Sequence, residues 1–275
     1  MKQQLKHIIK IKLKMKQFLP IYIGNSIFQH NILLNCEKEV TMRIAMMVIR
    51  NLFFVPALFI KLLWLSHHYN GDYYPGFMQC KKISAHAIKG GNITAEIHNV
   101  ENLPEEDGFI LYPNHQGLFD TLMFFYSSPK PLAFVIKKEA KDIILLKQAV
   151  GATGSLSMDR EDLRQSMQVI NQVADEVKNG RNYVIFAEGT RSKMGNKLRD
   201  FKGGSFKAAQ KAKCPIVPCA LINSFVPFDE SSLRHITVKL IYLKPMYYEE
   251  YKGMKTNEIA EEVKRRIEEA IAEYE

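Results

Sequence analysis

Apolar and polar residues alternate in blocks through most of this chain. From about residue 92, short apolar runs of strand type are separated by longer stretches with helical spacing. The predicted strands are Ile93–Ile97, Phe109–Tyr112, Leu132–Ile136, Ser155–Met158, Tyr183–Phe186, Ile216–Ile222 and Ile236–Leu243. The predicted helices are 118–127, 138–149, 161–179, 203–213 and 256–274. This pattern predicts an α/β fold, a single layered domain with a central mixed β-sheet flanked by helices.

The region before this domain has a different character. Residues 1–41 form a lysine-rich extension that is either a basic amphipathic helix on an anionic membrane surface or a solvated tail. Residues 42–84 contain the apolar segment Ile44 to Ser66, and we predict that residues 85–275 form the α/β domain. Arg50 and Lys61 argue against a full span, because two cations would lie within the hydrocarbon. We therefore predict one helix embedded in a single leaflet with both cations at the headgroups; the alternative is a helix buried against the domain.

The charge of the chain also divides unevenly. Its net charge is +9, yet residues 1–66 hold ten Lys/Arg against two Glu, while the remainder holds 28 Lys/Arg against 27 Asp/Glu. A nearly neutral main domain disfavours nucleic acid as a partner. The four cysteines include no Cys-x-x-Cys and no histidine at zinc spacing, so we predict reduced thiols, no metal site and a cytoplasmic location.

Two motifs follow predicted strands. His115 and Asp120 are five residues apart, a step that would leave their side chains about 140° apart on one continuous helix. They fall instead on a strand end and a first helical turn, where the carboxylate can accept from one imidazole nitrogen and leave the other free to take a proton. A second pair with the same spacing, His67 and Asp72, has no strand before it.

The second motif is the loop Ala187-Glu188-Gly189-Thr190-Arg191-Ser192. Backbone N–H groups, a hydroxyl and a guanidinium on one strand-end loop suit a phosphate, although a plain solvated loop is the alternative. Arg160 follows another predicted strand, and it either serves the same site or pairs with Glu161 or Asp162.

Five segments taken together resemble the glycerolipid acyltransferase family, in particular bacterial lysophosphatidate acyltransferases. They are Asn114-His115 to Asp120, Gly154 to Arg160, Phe186 to Ser192, Phe201 to Gly204 and Ile216 to Pro218. The resemblance implies His115 as general base, Asp120 as its orienting carboxylate, and a phosphate site of Arg160, Glu188, Gly189, Thr190 and Arg191. The chain departs from the family at Ala187, where proline is usual, and at Ser157 and Met158.

What the resemblance implies is an enzyme that acylates 1-acyl-glycerol-3-phosphate on the cytoplasmic face of the cell membrane. Its donor would be a thioester of acyl-carrier protein or coenzyme A, with no other cofactor. Glycerol-3-phosphate or another lysophospholipid is an alternative acceptor. A serine hydrolase is disfavoured because the chain contains no Gly-x-Ser-x-Gly elbow. A basic membrane-binding protein without catalysis is the remaining alternative.

Overall fold

A computed structural model describes residues 42–275, apart from 144 and 231, and the predicted basic extension 1–41 lies outside the described residues. The helices are α1 Met42–Arg50, α2 Val55–His67, α3 Tyr74–Gly90, α4 Phe119–Ser127, α5 Leu146–Thr153, α6 Leu163–Lys178, α7 Lys207–Ala212, α8 Val226–Asp229, α9 Tyr248–Tyr251 and α10 Thr256–Tyr274. The strands are β1 Ile93–His98, β2 Ile110–Pro113, β3 Ala133–Lys137, β4 Leu156–Met158, β5 Tyr183–Ile185, β6 Ile216–Ile222 and β7 Ile236–Tyr242. Every predicted strand is therefore present, with ends that shift by one residue at most.

These strands form one mixed seven-stranded sheet in the order β1-β7-β6-β2-β5-β3-β4. Strands β6, β2, β5, β3 and β4 run parallel, whereas β7 pairs antiparallel with β6 and parallel with β1. The carboxyl ends of the parallel strands therefore meet at one edge, where ligands bind in such sheets. The predicted mixed sheet is confirmed.

Helices cover both faces of this sheet. Alternate residues of β2 point to opposite faces: Ile110 and Tyr112 pack with α6, α7 and α10, while Leu111 packs with α2 to α5. The result is a three-layer arrangement with a core on each side of the sheet. Helices α2 and α3 belong to one of these layers, since Leu62 and Phe77 are fully buried in the same core as Leu111.

The apolar segment was predicted as one helix, and this prediction is wrong. The chain bends by 95° between α1 and α2, and Pro56 explains the break because its ring would clash with the carbonyl four residues earlier in a continuous helix. Arg50 was expected at the headgroups, but its Nη1 donates to the carbonyl of Gly90 at 3.2 Å. Arg43, fully buried, similarly donates to the carbonyl of Gly91 at 3.0 Å. Both arginines thus tie α1 to the carboxyl end of α3.

The predicted helix 138–149 is also divided. A 3-10 helix, Lys138–Asp142, precedes α5, and Leu145 between them has φ +74°, which no α-helix accommodates. The β-branched residues at 143 and 144 weaken helical propensity at this point. The predicted helix 203–213 likewise begins as a 3-10 turn, Gly203–Phe206, before α7.

Candidate active site

His115 and Asp120 come together as the sequence predicts. His115 lies just beyond the carboxyl end of β2, and Asp120 occupies the first turn of α4. The His115 Nδ1 and Asp120 Oδ2 atoms are 2.7 Å apart. By contrast, Asp72 of the second pair accepts from the backbone N–H of Tyr74, and in the described part of the chain no hydrogen bond joins it to His67.

The carboxylate of Asp120 is fully buried and held by three donors. Its Oδ2 also accepts the backbone N–H groups of Gln116, at 2.8 Å, and Gly117, at 3.0 Å. An ionised carboxylate can only accept, so Nδ1 of His115 carries the proton and Nε2 keeps its lone pair. No residue that the structure describes makes a hydrogen bond to Nε2, which is therefore available as a base.

The plane of the imidazole is fixed as well. The ring of Phe186, at the end of β5, lies 4.1 Å from the imidazole centroid with a tilt of 31°. On the strand side, the amide of Asn114 accepts from the backbone N–H of Leu221 at 2.7 Å and donates to its carbonyl at 2.9 Å. These contacts anchor His115 between β5 and β6.

Glu188 has a different position from the rest of its predicted phosphate loop. Its side chain is buried, and its two oxygens accept the backbone N–H groups of His115, at 2.7 Å, and Arg199, at 3.0 Å. Burial raises the pKa of this carboxyl above its ordinary value. Because both oxygens of Glu188 already accept backbone hydrogen bonds, this side chain shapes the loop and does not itself face a phosphate.

Gly189, Thr190 and Arg191 form the outward part of the loop. Gly189 has φ +75°, a conformation that favours glycine, and a Cβ there would lie 3.1 Å from Nζ of Lys202. Thr190 is exposed and Arg191 half-exposed, so both can meet a ligand. Beyond them, the backbone N–H of Ser192 donates to the carbonyl of His115 at 2.8 Å, which joins this loop directly to the turn from His115 to Asp120, the candidate catalytic turn.

Arg160 lies further away, and the structure does not bring it into contact with Arg191. It follows β4, an edge strand two positions from β5, whose following loop carries Arg191, and hence about 10 Å away across the sheet. Neither Glu161 nor Asp162 forms an ion pair with it in the described residues, and Asp162 instead caps α6 through the N–H groups of Arg164 and Gln165. Partial burial lowers the pKa of the Arg160 guanidinium.

The sequence analysis did not identify several polar positions around the site. Gln116 is buried, with Oε1 accepting from the Ser224 N–H at 2.6 Å and Nε2 donating to Asn196 Oδ1 at 2.8 Å. Lys137 and Lys138 lie at the carboxyl end of β3, between the strands that carry His115 and Arg160. The available signals in the sequence were a polar residue directly after His115 and a pair of lysines after a predicted strand.

Comparisons with known proteins agree with this geometry. The family model described as Acyltransferase matches residues 94–222, which include the catalytic turn and the loop with Arg191. This match, over slightly less than half of the chain, supports the resemblance to the acyltransferase family. It is 32% identical over 182 residues to a chloroplastic 1-acyl-sn-glycerol-3-phosphate acyltransferase of Brassica napus, covering 64% of this chain and 50% of that protein. It is also 32% identical over 147 residues to the 1-acyl-sn-glycerol-3-phosphate acyltransferase of Helicobacter pylori, covering 50% of this chain and 62% of that protein.

The fold has a solved counterpart. The crystal structure of the 1-acyl-sn-glycerophosphate acyltransferase PlsC from Thermotoga maritima superposes with a TM-score of 0.63 at 23% identity, covering 82% of this chain and 98% of that one. The predicted α/β fold is thereby confirmed, and the family model and the relatives named above confirm the acyltransferase resemblance. The match to the two curated relatives spans between half and two-thirds of their length.

Proposed function

We propose that this acyltransferase moves a fatty acyl chain from a thioester of acyl-carrier protein or coenzyme A to the sn-2 hydroxyl of 1-acyl-glycerol-3-phosphate, forming phosphatidate. The observation that carries the proposal is the His115 imidazole, whose Nδ1 is held by buried Asp120 while Nε2 has no described partner. Relatives named 1-acyl-sn-glycerol-3-phosphate acyltransferases support the choice of acceptor.

The proposed reaction is a direct acyl transfer. Nε2 of His115 takes the proton of the sn-2 hydroxyl while its oxygen attacks the thioester carbonyl carbon, and Asp120 stabilises the imidazolium that forms. When the tetrahedral intermediate collapses, the carbon–sulfur bond breaks and the imidazolium returns the proton to the sulfur. The products are the ester and a free thiol. General-base catalysis of this kind contributes about 10²–10⁴-fold to the rate.

The cationic side chains would position the acceptor. Arg191 lies on the loop that bonds to His115 through Ser192, so a phosphate bound to Arg191 would be held close to the base. A charge-assisted hydrogen bond to phosphate is worth about 1.5–3 kcal/mol. Arg160, Gly189 and Thr190 are the further phosphate ligands in this proposal. The chemistry requires no metal and no cofactor beyond the thioester donor.

We further propose that the enzyme rests on the cytoplasmic face of the cell membrane, where its lipid acceptor resides. No single described helix has the length and apolar character to cross a bilayer, although the bent pair α1 and α2 together meets that criterion. Around their bend, large apolar side chains are exposed, among them Phe53, Phe54, Ile60 and Trp64. Such a patch suits insertion into one leaflet.

The test is acyl transfer from a labelled acyl thioester, with lysophosphatidate, glycerol-3-phosphate or another lysophospholipid offered in parallel, by the wild type and by His115→Ala. Labelled phosphatidate made from lysophosphatidate by the wild type alone is the expected result. Product from a different acceptor would change the assigned substrate. An intact thioester with every acceptor would contradict the enzyme assignment and favour a membrane-binding protein.

A further inference from the structure

The segment after β6, residues 223–229, borders the site but lies beyond the part of the chain that matches the family model, which ends at 222. It contacts the turn that carries His115 and also the segment after the Arg191 loop. The backbone N–H groups of Ser224 and Asn223 donate to Gln116 and Asn196, at 2.6 and 2.9 Å. The ring of Phe228 packs edge-on against Phe119 at 5.4 Å. The segment is thus fixed both against the turn that carries His115 and against Asn196, which follows the Arg191 loop.

Its last residue, Asp229, reaches Arg191. Nη1 of Arg191 donates to the Asp229 carboxylate, with distances of 3.3 Å to Oδ1 and 3.5 Å to Oδ2. Both side chains are half-exposed. Within the described residues, neither Nη2 nor Nε of Arg191 makes a hydrogen bond. The guanidinium is therefore held by one nitrogen, and its other donors stay available for a ligand.

The position of Asp229 is itself well determined. Its backbone N–H donates to the carbonyl of Phe225 at 2.9 Å in the single turn of α8. A Cβ built on Gly117 would lie 3.7 Å from Oδ2 of Asp229, so the carboxylate packs beside the catalytic turn. The loop that carries Arg191, in contrast, contains three residues with positive φ: Gly189, Lys193 and Gly195. Asp229 thus gives Arg191 a fixed ion-pair partner beside the turn that carries His115.

We propose that Asp229 is a positioning residue that orients Arg191 for the acceptor's phosphate. The inference rests on the proposed function of Arg191 as a phosphate ligand. An unrestrained arginine has many rotamers, and a side chain oriented in advance loses less conformational freedom when the phosphate binds. The carboxylate contacts Nη1 alone, so it leaves the opposite edge of the guanidinium for the acceptor. An open cleft of about 450 Å³, lined in part by Arg191, Lys193, Phe225 and Asp229, provides the space.

The test is the steady-state kinetics of Asp229→Ala with lysophosphatidate as the varied substrate. We expect KM to rise about three- to tenfold, with kcat within twofold of wild type, because the acylation chemistry at His115 is untouched. Asp229→Asn keeps an oxygen acceptor for Nη1 and should restore most of the lost affinity. Asp175→Ala is the matched control, since Asp175 forms an exposed ion pair with Lys178 on α6, away from the site.

A double-mutant cycle decides whether the effect passes through Arg191. Asp229→Ala added to Arg191→Ala should not raise KM further; an additional rise would overturn the positioning role. A lower KM in Asp229→Ala would also overturn the positioning role, because the carboxylate would then compete with the phosphate for Arg191. An unchanged KM in Asp229→Ala would overturn it as well. Arg191→Ala alone separates the two proposals. If it raises KM while Asp229→Ala does not, only this inference fails, whereas an unchanged KM in Arg191→Ala removes the phosphate site itself.

Discussion

The carboxylate of Glu188 accepts a hydrogen bond of 2.7 Å from the backbone N–H of His115, and through this contact the loop after β5 holds the residue that follows β2. The same carboxylate accepts from the N–H of Arg199 at 3.0 Å, so one buried anion fixes three backbone segments. Glu188 therefore helps to fix the position of His115 through the backbone.

Glu188→Gln should reduce activity sharply while leaving a folded protein. An amide has only one oxygen, so its NH₂ group must face the N–H of either His115 or Arg199, and one buried donor loses its partner. We expect a loss of about 1–3 kcal/mol in unfolding free energy and a fall in kcat of at least about tenfold. Denaturant unfolding and acyl-transfer assays measure the two effects. Full activity in the variant would contradict the role of this contact.

The stability contributed by Glu188 should also depend on pH. Burial raises the pKa of Glu188, so the folded state binds its proton more tightly than the unfolded state. The unfolding free energy contributed by this group is therefore lost as pH rises from the ordinary pKa of a glutamate through its raised value. Relative to Glu188→Gln, the wild type should be more stable at the acid side of this window than above it. The opposite slope in paired unfolding titrations would rule the shift out.

Asp120→Asn should lower kcat by about 10²–10⁴-fold with little change in KM. The asparagine oxygen can replace Oδ2, which accepts from His115 Nδ1 and two backbone N–H groups, but a neutral amide no longer stabilises the imidazolium that forms during transfer. The chain supplies its own control in His67 and Asp72, a pair with the same spacing. Substitutions there should leave kcat unchanged, and a comparable loss at that pair would refute the assignment to His115 and Asp120.

The sequence predicts the sheet well because its strands are short apolar runs with clear boundaries. All the predicted strands appear, and the contact of His115 with Asp120 follows from a strand end meeting a first helical turn. Local patterns were sufficient for both results. The break between α1 and α2 was predicted poorly, although Pro56 stands in the sequence, because the apolar composition of the segment suggested one continuous helix.

Long-range hydrogen bonds are the part that the sequence did not reveal. Gln116 meets Ser224 across 108 positions, and Asp229 meets Arg191 across 38 positions. Such pairs depend on which strands are neighbours in the sheet, and a spacing pattern along one segment contains no information about that order. The buried position of Glu188 was hidden for the same reason, because its partner His115 lies on a different strand.

Gln116→Glu should weaken the join between the catalytic turn and the two loops beside it. Oε1 of Gln116 accepts from Ser224, while Nε2 donates to Asn196 Oδ1, which also accepts from the Asn223 N–H. A carboxylate would place a second acceptor against Asn196 Oδ1 in a buried site. We expect a loss of about 1–3 kcal/mol in unfolding free energy and a higher KM for lysophosphatidate.

Differential scanning calorimetry and steady-state kinetics test this expectation. Gln172→Glu is the control, because Gln172 lies on the exposed face of α6 and its side chain bonds only to Glu176 there. It should change neither KM nor, beyond a few tenths of a kcal/mol, the stability. A Gln116→Glu protein as stable and active as the wild type would show that the three segments hold together without this side chain.

Phe53 and Trp64 offer the sharpest test of membrane attachment. Phe53, at the bend, is 92% exposed and Trp64, on α2, is 57% exposed, whereas α1 and α2 pack into the core through Met47 and Leu62. Burying one such side chain in lipid is worth about 1.5–3 kcal/mol, so Phe53→Asp with Trp64→Asp should lower vesicle binding at least about tenfold. Sedimentation with phosphatidylcholine–phosphatidylglycerol vesicles measures the change, with Tyr247→Asp as a control at another exposed aromatic residue. Since neither side chain supports the core, thermal stability should be retained; undiminished vesicle binding by the double variant would place the membrane contact elsewhere on the protein.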